Sequence, residues 1–210
     1  DGNLTQSLTR ILDCYFYKFL PREGVPPHTN DDLLNIEANM ESLFLFALTW
    51  SVGATSDEEG RKRFSSWLKS KSSSEQTPIP FPEEEGSLVY DFVYNEESQE
   101  WRKWMDSIGE VSITTKDTSF SEIVVPTKDS VRTGYLTEIL IRSKKHILFT
   151  GTTGTGKTTA VMQFLSGGGH RFYSVNTRLL PLTVTFSAQT SQNQTQDYLD
   201  SKMEKRKKGT

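Results

Sequence analysis

Residues 151–158 read Gly-Thr-Thr-Gly-Thr-Gly-Lys-Thr, which fits the phosphate-loop pattern Gly-x-x-x-x-Gly-Lys-Ser/Thr. An apolar run, Ile147-Leu148-Phe149, precedes it, and a helix-compatible stretch follows. The chemistry asked of such a loop is anion binding. A triphosphate loses water only if several donors converge on it, and backbone N–H groups turned inward supply them. Gly151, Gly154 and Gly156 lack a Cβ, so the main chain can take positive φ and come close. A helix starting near Lys157 points its N-terminus at the anion. Lys157 reaches the β- and γ-phosphates as a point charge. Thr158 places its hydroxyl on Mg²⁺, an ion that keeps several waters and few protein ligands. Thr152, Thr153 and Thr155 contribute mainly backbone groups, and Thr159 is counted with the same set. A turn that merely caps a helix requires neither the lysine nor the threonine after it. The expected ligand is therefore a nucleoside triphosphate with Mg²⁺.

Composition narrows the setting. The 210 residues suffice for one or two domains, and 34% hydrophobic with 11% aromatic content supports a modest core. A net charge of −3, from 24 basic and 27 acidic residues, gives no global field favouring nucleic acid or an anionic membrane. Leu43–Leu48 is the longest apolar stretch, too short to span a bilayer. Cys14 is the only cysteine, so no intrachain disulfide forms and a reducing compartment is the simpler setting. It falls in an apolar helical pattern, which reads as a packed side chain. His28, His146 and His170 have no metal-ligand spacing. The chain begins at Asp1 rather than methionine and stops in a basic run, which reads as a piece of a longer polypeptide.

The elements that must position the loop are legible as periodicities. Leu4, Leu8, Ile11, Leu12, Tyr15, Phe16 and Phe19 mark one helix, closed by Pro21. A second is predicted over about 31–52, with Leu33, Leu34, Ile36, Met40, Leu43, Phe44, Ala47 and Trp50 as its apolar positions and Gly53 as its stop. Ser56 caps a third, in which Glu58 with Lys62 and Glu59 with Arg63 pair at i,i+4, and Phe64, Trp67 and Leu68 turn inward. Residues 70–86 are Ser-, Pro- and Glu-rich and read as a linker. Leu88–Tyr94, a turn at 95–98 and Glu100–Trp104 read as a small hairpin against a helical layer. Its tryptophans read as packing residues in preference to base-stacking ones. The second half reads as α/β. A strand at 123–125 leads into a helix over 128–143. The strand Ile147–Thr150, the loop, and a helix through Leu165 closed by Gly167-Gly168-Gly169 follow. A period-two strand, Leu182–Ser187, then precedes a polar helix from near Ser191 that runs into Lys205-Arg206-Lys207-Lys208. Those cations read as helix C-terminal charges before they read as a nucleic-acid contact.

Hydrolysis also needs a second acid, usually ending another apolar strand. After Lys157 only Asp197, Asp200 and Glu204 are available, all in the polar helix. Asp91 does follow apolar residues, but upstream. This stretch is thus expected to hold phosphates and, by itself, to hydrolyse poorly. A binding-only module and an unrelated phosphate-loop enzyme remain as alternatives. The second lacks the guanine-reading Asn-Lys-x-Asp string of a GTPase.

Val125-Pro126-Thr127-Lys128-Asp129-Ser130-Val131-Arg132 and Phe149–Thr158 resemble the start of the third AAA+ module of dynein heavy chains. Leu182–Ser191, with Asn193–Asp197 and Lys205–Gly209, looks like that module's next strand and helix. Leu43–Gly53 and Asp57–Phe64 are similar to the closing helices of the second module, and Val89–Phe92 with Trp101 to the extension between the two. The wording is nearer to axonemal than cytoplasmic dyneins, and Thr152 stands where the family often has proline. The resemblance implies a partial α/β phosphate-loop NTPase core of AAA+ type in the C-terminal half and a mainly helical N-terminal half with a small β extension. It divides the chain into 1–70, the helical close of one module; 71–115, linker and extension; and 116–210, the start of the next. It implies ATP or ADP with Mg²⁺ on Gly151 to Thr159. Val124, Val125 and Pro126 would lie against the adenine. The implied partners are neighbouring AAA+ modules of the same chain, with microtubules and other dynein chains engaged through the parent, and no nucleic acid or membrane. The implied location is cytoplasmic and cytoskeletal, in the ciliary axoneme, where the parent would convert ATP hydrolysis into minus-end-directed movement.

Overall fold

The computed structural model describes residues 2–16, 30–72, 81–82, 84–107, 125–166 and 182–203. Helices α1 (Gly2–Phe16), α2 (Asn30–Ser51) and α3 (Glu58–Ser72) come first. The hairpin β1 (Phe92–Asn95) and β2 (Glu100–Lys103) follows, then α4 (Lys128–Arg142), α5 (Lys157–Ser166) and α6 (Gln192–Lys202).

Helix α2 organises the first half. Leu43, Leu45, Phe46 and Ala47 are consecutive or nearly so, and all are buried. A helix apolar on more than one face must be covered on more than one face. On one side Leu43, Phe46 and Ala47 meet Ile11 and Tyr15 of α1, Val93 and Tyr94 of β1, and Trp104. On another, Leu45 meets Leu68, Phe81, Val89 and Tyr90. The predicted apolar stripe was therefore partly misplaced: Met40 and Phe44 face outward, while Asn39 and Thr49 are buried. These polar groups are satisfied, since Tyr94 Oη donates to Asn39 Oδ1 at 2.6 Å and Thr49 Oγ1 to Leu45 O at 2.8 Å.

Gly53 ends α2 but not by the expected left-handed turn. Its φ is not positive; the chain tightens into a 3-10 turn over Gly53–Thr55. What demands glycine is proximity: a Cβ there would meet Phe64 Cε1 and Tyr90 Oη, each at 2.6 Å. Helix α3 is capped by Asp57, not Ser56, because Asp57 Oδ1 accepts from Gly60 N at 2.8 Å. The expected pairs form, Glu58 with Lys62 at 2.9 Å and Glu59 with Arg63 at 3.3 Å. Leu68 turns inward as expected, whereas Trp67 is 49% exposed, its ring 5.7 Å from that of Phe64.

The hairpin forms with Phe92 opposite Lys103 and Tyr94 opposite Trp101. Asn95 Oδ1 nucleates the turn by accepting from the N–H groups of Glu97 and Ser98 at 2.9 and 3.1 Å, and Gln99 takes the left-handed position. Trp104 lies at the centre of the core, 1% exposed, its Nε1 donating to Tyr90 O at 2.9 Å. The hairpin tryptophans are thus packing residues, as read from the sequence.

Among the described residues of the second half the helices form and no strand pairs. Residues 145–150 and 182–187 are irregular, and β1–β2 is the only ladder among the described residues. An isolated apolar strand has no neighbour to satisfy its N–H and C=O groups. Leu148 is accordingly 85% exposed and Phe186 67%. The predicted strand at 123–125 falls mostly outside the described residues, as do the glycine stop after α5 and the basic run at 205–208. Cys14 is half-buried, donates to Arg10 O at 3.1 Å, and has its thiol pushed up by burial.

Candidate phosphate-binding site

The phosphate loop leads directly into the first turn of α5. Helices start where unpaired N–H groups find another use; here Ala160 N closes onto Gly156 O at 2.9 Å, and the amides ahead of it remain at the loop. Gly151, Gly154 and Gly156 have φ of 149°, 79° and 77°. Those values suit glycine alone among common residues. No atom lies within 4 Å of a Cβ built on Gly154 or Gly156, so the concave side is open.

Lys157 folds back across this turn. Its Nζ donates to Gly151 O at 3.1 Å, Thr152 O at 2.5 Å and Thr155 Oγ1 at 3.1 Å. All three acceptors are neutral oxygens, so they orient the ammonium without cancelling its charge. Thr155 Oγ1 itself donates to Thr152 O at 3.0 Å, closing the loop into one hydrogen-bonded unit. This side-chain role was not foreseen for Thr155, expected to act through its backbone. The signal was its position two residues before the lysine. Thr158 and Thr159 sit exposed in the first turn of α5. Positive-φ glycines, an open concavity, a helix N-terminus and an uncompensated ammonium form a donor set that fits a polyphosphate.

The loop stands at the junction of an irregular segment with a helix, where the sequence predicted a strand before it. Of the three expected adenine neighbours, Val124 lies outside the described residues. Val125 is 68% exposed. Pro126 precedes the cap of α4, where Thr127 Oγ1 accepts from Ser130 N at 3.2 Å, and it shares a cavity wall with Ala160 and Phe164 of α5. No residue of 151–158 lines that cavity.

Helix α4 joins this site to the first half. Lys128 Nζ meets Asp91 Oδ1 at 2.9 Å, and Lys145 Nζ meets Asp13 Oδ2 at 3.0 Å. Tyr15 and Tyr135 share a hydroxyl contact of 3.2 Å, and the Arg132 guanidinium lies 5.3 Å from the centre of the Trp50 ring. Burial pushes the Asp91 carboxyl up, but the Leu88 N–H and Lys128 outweigh it and hold the group below its usual range. Asp91 is thus a structural acid tying the extension to α4. Of the acids after the loop, Asp197 and Asp200 lie on α6, where Asp200 Oδ1 accepts from Gln196 Nε2 at 2.9 Å. Among the described residues no cluster of His, Cys, Asp and Glu has metal-binding geometry, and no helix is long and apolar enough to cross a membrane.

Comparison with known proteins agrees with both halves. Residues 1–106 match the dynein heavy chain AAA lid domain, and residues 112–210 match the P-loop containing dynein motor region. The chain is 41% identical over 223 residues to human dynein axonemal heavy chain 1, covering 99% of this chain and 5% of that protein. Its mouse counterpart is 41% identical over 230 residues, covering 100% of this chain and 5% of the relative. The dynein-1-beta heavy chain of the flagellar inner arm I1 complex of Chlamydomonas reinhardtii is 33% identical over 170 residues, 81% of this chain and 4% of that one. The chain spans about one-twentieth of the length of these relatives. With a lid domain followed by a phosphate-loop motor region of AAA+ type, it belongs to the dynein heavy chain family.

Proposed function

We propose that this chain is the ATP-binding junction between two successive AAA+ modules, the second and third, of an axonemal dynein heavy chain. Residues 1–70 close the earlier module, 71–115 form linker and extension, and 116–210 begin the next. The observation that carries the reading is the loop itself: three positive-φ glycines and Lys157 at the N-terminus of α5. The loop amides bind phosphate oxygens. Lys157 exchanges its carbonyl acceptors for the β- and γ-phosphates, and Thr158 offers its hydroxyl to Mg²⁺, which supplies charge neutralisation when bound. Val124, Val125 and Pro126 lie toward the adenine. The parent, by this reading, is a microtubule motor of the ciliary axoneme. By this reading Asp197 and Asp200, both on α6, are not hydrolytic residues.

The test is nucleotide affinity in the parent heavy chain, measured by calorimetry. Lys157→Ala removes a charged donor whose hydrogen bonds are each worth about 1.5–3 kcal/mol, so ATP affinity at this site falls at least about tenfold. Unchanged affinity would refute the assigned role.

A further inference from the structure

A cavity of about 670 Å³ opens between the hairpin turn, α4 and α5, and Pro126 is the one residue of its described wall that the nucleotide reading also uses. Its size suits a ligand larger than one side chain. Aromatic rings line it: Tyr94, Trp104, Tyr135 and Phe164. Three carboxylates stand around it, Glu96 and Glu97 on the turn and Glu138 on α4, against one guanidinium, Arg102. Glu138 is partly engaged by Arg142 at 3.6 Å and Arg102 by Glu100 at 3.7 Å, so both rim charges retain capacity for a further partner.

Gly134 supplies an independent observation. It sits in the middle of α4, where glycine costs about 1 kcal/mol relative to alanine. Its φ is not positive, and a Cβ built there would meet nothing within 4 Å. Among the described residues neither backbone conformation nor packing requires glycine at this position. Gly134 lines the cavity, so the space a side chain would take belongs to the cavity. An occupant can there approach the α4 backbone.

Aromatic faces beneath a carboxylate rim recognise a flat or compact cation on an apolar stem, through cation–π attraction and charge-assisted hydrogen bonds together. We propose that this cavity binds a short peptide segment presenting an arginine, with the guanidinium at Glu97 and Glu138, the stem on Tyr135 and Phe164, and the segment's backbone against Gly134. The site is separate from the phosphate loop and does not depend on nucleotide binding there.

The test uses the intact parent motor and a fluorescein-labelled, end-blocked Leu-Arg-Leu peptide read by anisotropy. Binding at this site requires that replacing the peptide's arginine with norleucine weakens it at least about tenfold, and that Glu97→Gln with Glu138→Gln weakens it at least about fivefold. Gly134→Leu fills the space and abolishes binding while ATP affinity stays within about twofold, which reports an intact fold. Gly134→Ala, a helix-favouring change, weakens binding by a smaller factor and guards against a misfolded leucine variant. Equal binding of the norleucine peptide overturns the cation assignment. Agmatine binding as tightly as the peptide overturns the peptide assignment in favour of a small organic cation. Unchanged peptide binding by both Gly134 variants overturns the location.

Discussion

Gly53→Ala adds one methyl group at the most crowded glycine of the first half. The new Cβ would lie 2.6 Å from Phe64 Cε1 and 2.6 Å from Tyr90 Oη, both far inside contact distance. Phe64 leans on Tyr90, ring centres 6.2 Å apart, and Tyr90 is buried, so neither ring yields freely. Tyr90 Oη also donates to Gly53 O at 2.7 Å, and displacing the ring stretches that bond. Overpacking of this kind costs about 1–3 kcal/mol, and the buried hydrogen bond about 1 more. Alanine restricts the unfolded chain and returns about 0.4–1 kcal/mol. The expected net loss is about 1–3 kcal/mol, read as a lowered urea midpoint with unchanged slope. Phe64→Leu should reduce the penalty of Gly53→Ala when the two are combined, by about 1 kcal/mol in a double-mutant cycle. A Gly53→Ala chain as stable as the parent, or additive with Phe64→Leu, would refute the close-approach explanation.

Asp91→Asn removes a carboxylate held below its usual range. A depressed acid stabilises the fold above its unfolded pKa and loses that contribution as pH falls through the folded value. The acid limb of a stability-versus-pH curve, below about pH 4, should therefore flatten in the variant. Tyr15 and Tyr135 are both pushed up, chiefly by burial. Their contribution is full below the free tyrosine value of about 10 and is lost as pH rises through the folded values. Tyr15→Phe with Tyr135→Phe should accordingly weaken the alkaline dependence of unfolding, followed by circular dichroism. Gly156→Val forces a β-branched residue to a φ of 77°, a strain of about 1–3 kcal/mol. Nucleotide affinity in the parent should fall, and the strain should also lower the urea midpoint.

The phosphate loop was legible in the sequence because its function resides in the backbone. Glycine at 151, 154 and 156 is dictated by φ, and on the proposed reading Lys157 and Thr158 would answer a phosphate and its cation, all within eight adjacent positions. The helices were legible for a related reason, since periodicity and capping are local; the Thr127 and Ser191 caps and the α3 ion pairs formed from neighbours a few residues apart. Only tertiary structure decided which face of α2 is covered, because a run apolar on several sides does not declare its partners. It also decided that Gly53 is required by Phe64 and Tyr90 and not by a helix stop. Asp91 meeting Lys128 and Tyr15 meeting Tyr135 join positions 37 and 120 residues apart, and no local pattern encodes such contacts. The expected strands of the second half show the same division. Their apolar alternation is written in the chain, but a strand exists only when another backbone lies beside it, and the described residues do not supply one.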